Sequence, residues 1–175
     1  LRESLIEQLV RDNRLSDAIF QYEQMAKFDA GNLDHIEAWG QLYLSNKDLS
    51  LQERQTKAAA IWERLLTNRA EDSVTIARLA SLLRRAELRD RAIELYRSAI
   101  EKSPNDPQYR EYLGEYLHQL QRTDEAVAVW NEIAKGDRRS KANLIRLAEV
   151  LNRFEQTEPA LAAMRDACSL DPDPA

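Results

Sequence analysis

The residues that could carry chemistry in this sequence are few and far apart. The two histidines, His35 and His118, stand in widely separated parts of the chain, which contains no HExxH metal motif, glycine-rich phosphate loop or nucleophile elbow. Glu111 and Glu115 would lie one turn apart on a helix, but an exposed pair lacks the burial that separates two carboxylate pKa values. Because Cys168 is the only cysteine, an internal disulfide and a cysteine-built metal site are excluded. We therefore predict no catalytic residue, no metal and no cofactor, and expect that the chain is not an enzyme.

The composition favours an all-α domain of ordinary size. The chain has 175 residues, of which 43% are hydrophobic and 31% charged, with only four glycines and five prolines. Residue types that lose little free energy on entering a helix dominate. The formal net charge is −5, and no apolar run approaches the roughly 20 residues that span a bilayer. We therefore expect neither nucleic acid nor a membrane among the partners.

The sequence repeats with a period of 34 residues. Segments 73–106, 107–140 and 141–174 align without gaps. The same frame fits 1–32, which lacks the first two positions, and 33–72, which carries a six-residue insertion. We number these segments blocks 1 to 5 in chain order. Position 20 of a block is always alanine: Ala18, Ala58, Ala92, Ala126 and Ala160. Position 24 is always a large side chain: Tyr22, Trp62, Tyr96, Trp130 and Met164.

This pattern resembles the tetratricopeptide repeat, a helix-turn-helix unit with leucine at position 7, a small residue at 8, alanine at 20 and an aromatic residue at 24. The sequence departs from the family at position 4, which never holds tryptophan, and at position 27, which varies. The resemblance covers the whole chain and implies an all-α, right-handed α-solenoid of five hairpins, which we expect to be part of a longer protein. First helices are predicted near residues 1–11, 33–45, 73–85, 107–120 and 141–153.

Local signals support these helices. Ser50 and Glu53 form a capping-box pattern before the second helix of block 2. Thr123 is expected to cap the second helix of block 4, and Pro107 suits a first helical turn, where its missing N–H costs nothing. Small residues at positions 8 and 20 should let the two helices of a block approach closely, with the side chain at position 24 filling the gap beside them.

One side of each first helix is left free, because positions 4, 7, 8 and 11 form a buried stripe on the other side. In the tetratricopeptide family this free face lines the concave side and carries the ligand. The resemblance therefore implies a protein partner, bound as an extended peptide or a helix, with Tyr112 as anchor and the arginines as carboxylate partners. The predicted partner-binding residues lie in blocks 3 to 5: Arg78, Ser81, Arg84, Arg85, Glu111, Tyr112, Glu115, His118, Arg146, Glu149 and Arg153. The same face includes Glu3, Glu7, Arg11, Glu37, Gln41 and Ala77.

Other interpretations of this surface stay open. The same charges can form a solvated helix face with pairs one turn apart, and uncapped array ends or the insertion can mediate assembly of a homo-oligomer. Related repeats hold acidic chaperone tails with lysine at position 5 and asparagine at position 9 of the first helix, and none of the five blocks has these residues at these positions. The 34-residue period argues against RNA-binding pentatricopeptide arrays, whose period is longer. The cytoplasm is the favoured compartment, with the periplasm or secretion open because the chain does not begin with methionine.

Overall fold

The structure, a computed structural model, describes residues 2–29, 32–67 and 69–170, and these residues form ten α-helices and no β-strand. The all-α prediction is confirmed. The helices are α1 Arg2–Arg11, α2 Leu15–Met25, α3 Leu33–Ser45, α4 Leu51–Trp62, α5 Ser73–Arg85, α6 Arg89–Lys102, α7 Gln108–Gln119, α8 Thr123–Asn131, α9 Lys141–Arg153 and α10 Thr157–Ser169. Short 3₁₀ turns follow α4 and α8: Glu63–Leu66, Glu132–Ala134 and Gly136–Arg138.

The helices alternate as first and second helices of the predicted blocks. The five predicted first helices agree with α1, α3, α5, α7 and α9 to within one residue at each end. Two compact units are present, residues 1–95 and 96–175, with the border inside α6. The division into five blocks of a single array stays a prediction, and the predicted end of block 5 at Pro174 lies outside the described residues.

The turn inside blocks 1, 3, 4 and 5 places one residue in the left-handed conformation. Four residues with φ between 57° and 62° occupy this position: Asn13, Glu87, Gln121 and Glu155. The backbone then closes as in a Schellman motif, since the Arg122 N–H donates to the Leu117 carbonyl five residues earlier, at 2.9 Å. These turns lack the usual sequence signal because no glycine, the residue that adopts this conformation at least cost, stands there.

Of two predicted helix caps, one is present in the structure and the other is absent. The capping box is confirmed: Ser50 Oγ accepts from the Glu53 N–H, and the Glu53 carboxylate accepts from the Ser50 N–H at 3.0 Å. The prediction for Thr123 is wrong, because α8 begins at that residue with no side-chain cap. Its hydroxyl instead lies 3.5 Å from Nδ1 of His118 at the end of the preceding helix.

In blocks 2 and 4 the second helix packs on the first through a tryptophan that lies on a glycine. A Cβ atom added to Gly40 would stand 2.1 Å from Nε1 of Trp62, and one added to Gly114 would stand 2.1 Å from Nε1 of Trp130. Both indoles are fully buried, as are the alanines four residues before them. The predicted packing of positions 8, 20 and 24 is therefore confirmed for blocks 2 and 4. In block 5 the prediction is wrong for position 24, because Met164 is 42% exposed.

This packing predicts the effects of two substitutions in α8. Trp130→Ala should lower the free energy of unfolding by about 3–5 kcal/mol because it leaves a cavity. Ala126→Leu should lower it by about 1–3 kcal/mol because it overpacks a closed contact. Urea unfolding followed by circular dichroism measures both, with Ala128→Leu at an exposed position of the same helix as the control. Unchanged midpoints for both buried variants would contradict the packing.

The left-handed turn predicts opposite effects for the same substitution at two glutamates. Glu87→Gly should leave the free energy of unfolding unchanged or raise it by up to about 1 kcal/mol, because glycine removes the strain of a positive φ. Glu94→Gly, at an exposed position inside α6, should lower it by about 1 kcal/mol. Equal losses in thermal or urea unfolding would show that residue 87 is not left-handed in solution.

Candidate functional site

The predicted partner-binding residues fall into two groups, one in each compact unit. Unit 1 holds those on α5, and unit 2 holds those on α7 and α9. Five of the eleven are exposed: Ser81, Arg85, Tyr112, Glu149 and Arg153. The other six are half-buried: Arg78, Arg84, Glu111, Glu115, His118 and Arg146. Ala77, expected on the free face, is 6% exposed and belongs to the core.

Two of the predicted arginines bind carboxylates of the protein itself. In unit 1, Nε of Arg78 donates to the Glu37 carboxylate, and Nη2 donates to Asp34 at 2.8 Å. The bond to Glu37, more than the one to Asp34, raises the pKa of the Arg78 guanidinium. In unit 2, Nε of Arg146 donates to the Glu111 carboxylate in the same way. A partner carboxylate would have to displace these internal ligands.

Both ion pairs join the same two positions of the repeat. An arginine at position 6 of one block binds the glutamate at position 5 of the block before it, in α3–α5 and again in α7–α9. Glu3 occupies position 5 of block 1, but Ala38 stands at position 6 of block 2. There the partner of Glu3 is Nε2 of His35, at 3.0 Å.

His118 lies against aromatic rings rather than on an open surface. Its ring centroid is 5.0 Å from that of Phe154 and 6.2 Å from that of Trp130. Trp130 and Phe154 are themselves stacked at 4.8 Å with an interplanar angle of 20°. The imidazole therefore helps to pack α7 against α8 and the end of α9.

Tyr112 is the exposed edge of a group of tyrosines in unit 2. Its ring lies 6.3 Å from that of Tyr96 and 6.5 Å from that of Tyr109. The Gln108 amide donates to its hydroxyl at 2.5 Å. The side chain is 37% exposed, so it offers a ring that neighbouring groups already hold in place.

Unit 1 contains two depressions on the free face of the first helices. The larger, of about 500 Å³, lies between α1 and α3, and it is lined by Ile6, Glu7, Val10, Arg11, Tyr22, Ala38, Gln41 and Leu42. The smaller, of about 280 Å³, lies between α3 and α5, and it is lined by Asp34, Glu37, Ala38, Gln41, Leu82 and Arg85. Because Ala38 and Gln41 line both, the two depressions form one track. We call it the unit 1 groove.

The larger half of the groove, between α1 and α3, has a small residue where two other blocks have arginine. Position 6 holds Arg78 in block 3 and Arg146 in block 5, and each of these side chains lies across to the preceding first helix. Ala38 has only a methyl group at the same position, so the space between α1 and α3 stays open. Sequence reasoning missed this site because it followed charged and aromatic side chains. An alanine where two other blocks have arginine was the available signal.

The described residues contain no cluster of three or more histidine, cysteine, aspartate or glutamate side chains that could hold a metal ion. Within the same residues, no helix has the length and apolar character needed to cross a membrane. The thiol of Cys168, near the end of α10, is exposed.

The internal arginine pairs make a testable contribution to stability. Glu111→Gln should lower the free energy of unfolding of the chain by up to about 1 kcal/mol, and the loss should shrink in 1 M salt, because the pair is only partly buried. Glu149→Gln, an exposed site on α9, is the matched control and should have no effect beyond about 0.5 kcal/mol. Urea titrations at low and high salt compare the two variants. Equal losses would contradict the Glu111–Arg146 pair.

Residues 74–116, which run from α5 to α7, match the family model of the tetratricopeptide repeat. No curated protein matches the sequence. Two crystal structures of MamA, 13% and 12% identical to this chain, have TM-scores of 0.50. The alignments cover 94% and 97% of this chain and 92% and 90% of the MamA chains.

A structure of YrrB, described as "a TPR protein with an unusual peptide-binding site", is 20% identical over 98% of this chain and 85% of that chain. Its TM-score is 0.46. At these identities the likeness to solved structures concerns the fold alone. The family match on residues 74–116, together with the helical hairpins that recur through the described residues, supports the predicted assignment to the tetratricopeptide repeat family.

Proposed function

We propose that this chain is a protein-interaction scaffold and that the unit 1 groove binds an extended or helical segment of a partner protein. The observation that carries the proposal is the continuous track along α3, apolar beside α1 and polar beside α5. Depressions of about 500 and 280 Å³ are comparable with the usual size of ligand sites, and an apolar floor with a few polar groups is their usual composition.

The groove is suited to binding because its walls are fixed in advance. Ile6 and Leu42 are buried at its base, and α3 is held against α4 by Trp62 on Gly40. A segment that enters the groove therefore orders itself without reordering the helices, which limits the entropy cost of binding. Val10, 39% exposed, adds apolar surface at the rim.

The proposal extends to unit 2, where the predicted residues make a second contact surface. Tyr112 supplies an exposed, pre-oriented ring on α7, and Glu149 and Arg153 are exposed charges one turn apart on α9. Rim charges of this kind contribute modestly to affinity, whereas a tyrosine that becomes buried contributes more.

A second candidate function is self-association through α10. Three apolar side chains of this helix and its end are 42–47% exposed: Leu161, Met164 and Leu170. Sedimentation velocity over a hundredfold range of concentration tests this candidate, with Leu161→Lys as the variant that should dissociate an oligomer. A monomer at all concentrations contradicts self-association.

Closing the groove with an arginine at position 6 of block 2 tests the proposal. Blocks 3 and 5 already carry arginine at this position, so the fold accepts it. In Ala38→Arg the new guanidinium should bind Glu3 as Arg78 binds Glu37, so the helices should stay intact while the space closes. Ala60→Arg, at an exposed position of α4, is the matched control. Peptides selected from a displayed library of random 12-residue sequences are measured by fluorescence anisotropy against all three proteins.

We expect the selected peptides to lose about tenfold or more in affinity for Ala38→Arg, which corresponds to about 1.4 kcal/mol or more. Their affinity for Ala60→Arg should stay within about twofold, since its substitution is remote from the groove. Circular dichroism and thermal unfolding establish that both variants keep the fold. Equal binding to the wild type and Ala38→Arg, or a selection that yields no binder, contradicts the proposal.

A further inference from the structure

The apolar half of the unit 1 groove has an acidic end and a basic end. Glu3, Glu7 and Arg11 follow one another at one-turn spacing along α1. Glu7 and Arg11 line the depression, together with the ring of Tyr22. A segment lying in this half of the groove therefore meets the Glu7 carboxylate, with Glu3 one turn beyond it, and the Arg11 guanidinium on the other side.

We infer that the bound segment carries a lysine or arginine side chain whose aliphatic stem lies on the apolar floor and whose charged head meets Glu7 and Glu3. This inference rests on the proposed function and names the chemistry of the partner. Long basic side chains bury their methylene groups on apolar surface while the head stays at a polar edge. The groove offers such a surface in Ile6, Val10 and Leu42, with the carboxylate of Glu7 at its rim.

Glu3, at the acidic end, has a neighbour that orients its carboxylate. Nε2 of His35 lies 3.0 Å from the Glu3 carboxylate, which orients that side chain. The Tyr22 ring is 6.1 Å from the His35 ring. Burial first, and then the charges of Glu3 and Glu7, raise the pKa of the Tyr22 hydroxyl. The hydroxyl and both carboxylates therefore share one region, where an entering ammonium or guanidinium group finds acceptors.

An acidic segment fits this half of the groove less well. Its carboxylates would face Glu3 and Glu7 at one end and could use only Arg11 at the other. In the adjoining half, the carboxylates of Asp34 and Glu37 already bind Arg78. Arg85 lines that half, so an acidic residue is better placed there, at the α5 side of the same segment. The bound segment is therefore expected to place a basic residue toward α1 and an acidic residue toward α5.

The test uses the library-selected peptides whose binding depends on Ala38. We expect a lysine or arginine next to an apolar residue in most of them. Replacing that lysine by norleucine keeps the stem and removes the charge, and it should weaken binding about tenfold. Glu7→Gln should weaken binding of the lysine peptide but leave the norleucine peptide unchanged, which is the pattern of a direct interaction in a double-mutant cycle. Glu94→Gln on α6 is the matched control and should change neither.

The outcomes separate this inference from the proposed function. The inference is overturned if peptides whose binding is weakened by Ala38→Arg contain no basic residue. It is also overturned if these peptides bind equally well with norleucine in place of lysine. Either result leaves the groove as the binding site. Equal losses for both peptides in Glu7→Gln also overturn it, because they show an effect on the groove rather than on the charge. Peptides that are insensitive to Ala38→Arg contradict both.

Discussion

In α3 and α7, the two first helices whose glutamates accept an arginine, an indole ring of the following helix packs directly onto a glycine. The indole N–H of Trp62 donates to the Glu37 carbonyl at 3.0 Å, and that of Trp130 lies 3.5 Å from the Glu111 carbonyl. These two glutamates are also the residues whose carboxylates accept the arginines of the next first helix. Each glutamate therefore takes part in two contacts. Its carbonyl faces the indole inside the hairpin, and its carboxylate binds the arginine of the next hairpin. The indole fixes the backbone, and the fixed backbone sets the place of the carboxylate.

This coupling explains why Arg78 and Arg146 are not available as free charges on the surface. In unit 1, Arg78 bridges Glu37 and Asp34, and in unit 2, Arg146 binds Glu111, so side chains with the chemistry to hold a ligand instead hold the fold. Where the arginine is replaced by Ala38, the surface opens into a groove. The larger depression of unit 1 thus lies where the arginine at position 6 is absent.

The helices were predictable from sequence, whereas the roles of the side chains were predictable only in part. The 34-residue frame located the five first helices because apolar spacing and small residues at positions 8 and 20 are local signals. The internal role of Arg78 was missed because Glu37 lies 41 residues earlier, and only the stacking of blocks brings them together. Comparing positions 5 and 6 of successive blocks would have found the pair. The left-handed residues, such as Gln121, escaped notice because tertiary packing and not glycine enforces the turn.

Intermolecular NOEs between a library-selected peptide and the methyl-labelled protein test the central claim most directly, because they report contacts shorter than about 5 Å without any substitution. The account predicts NOEs from the peptide to the methyl groups of Ile6, Val10, Ala38 and Leu42 in the groove between α1 and α3. NOEs confined to exposed side chains of second helices, such as Leu51 on α4 or Leu161 on α10, would contradict it.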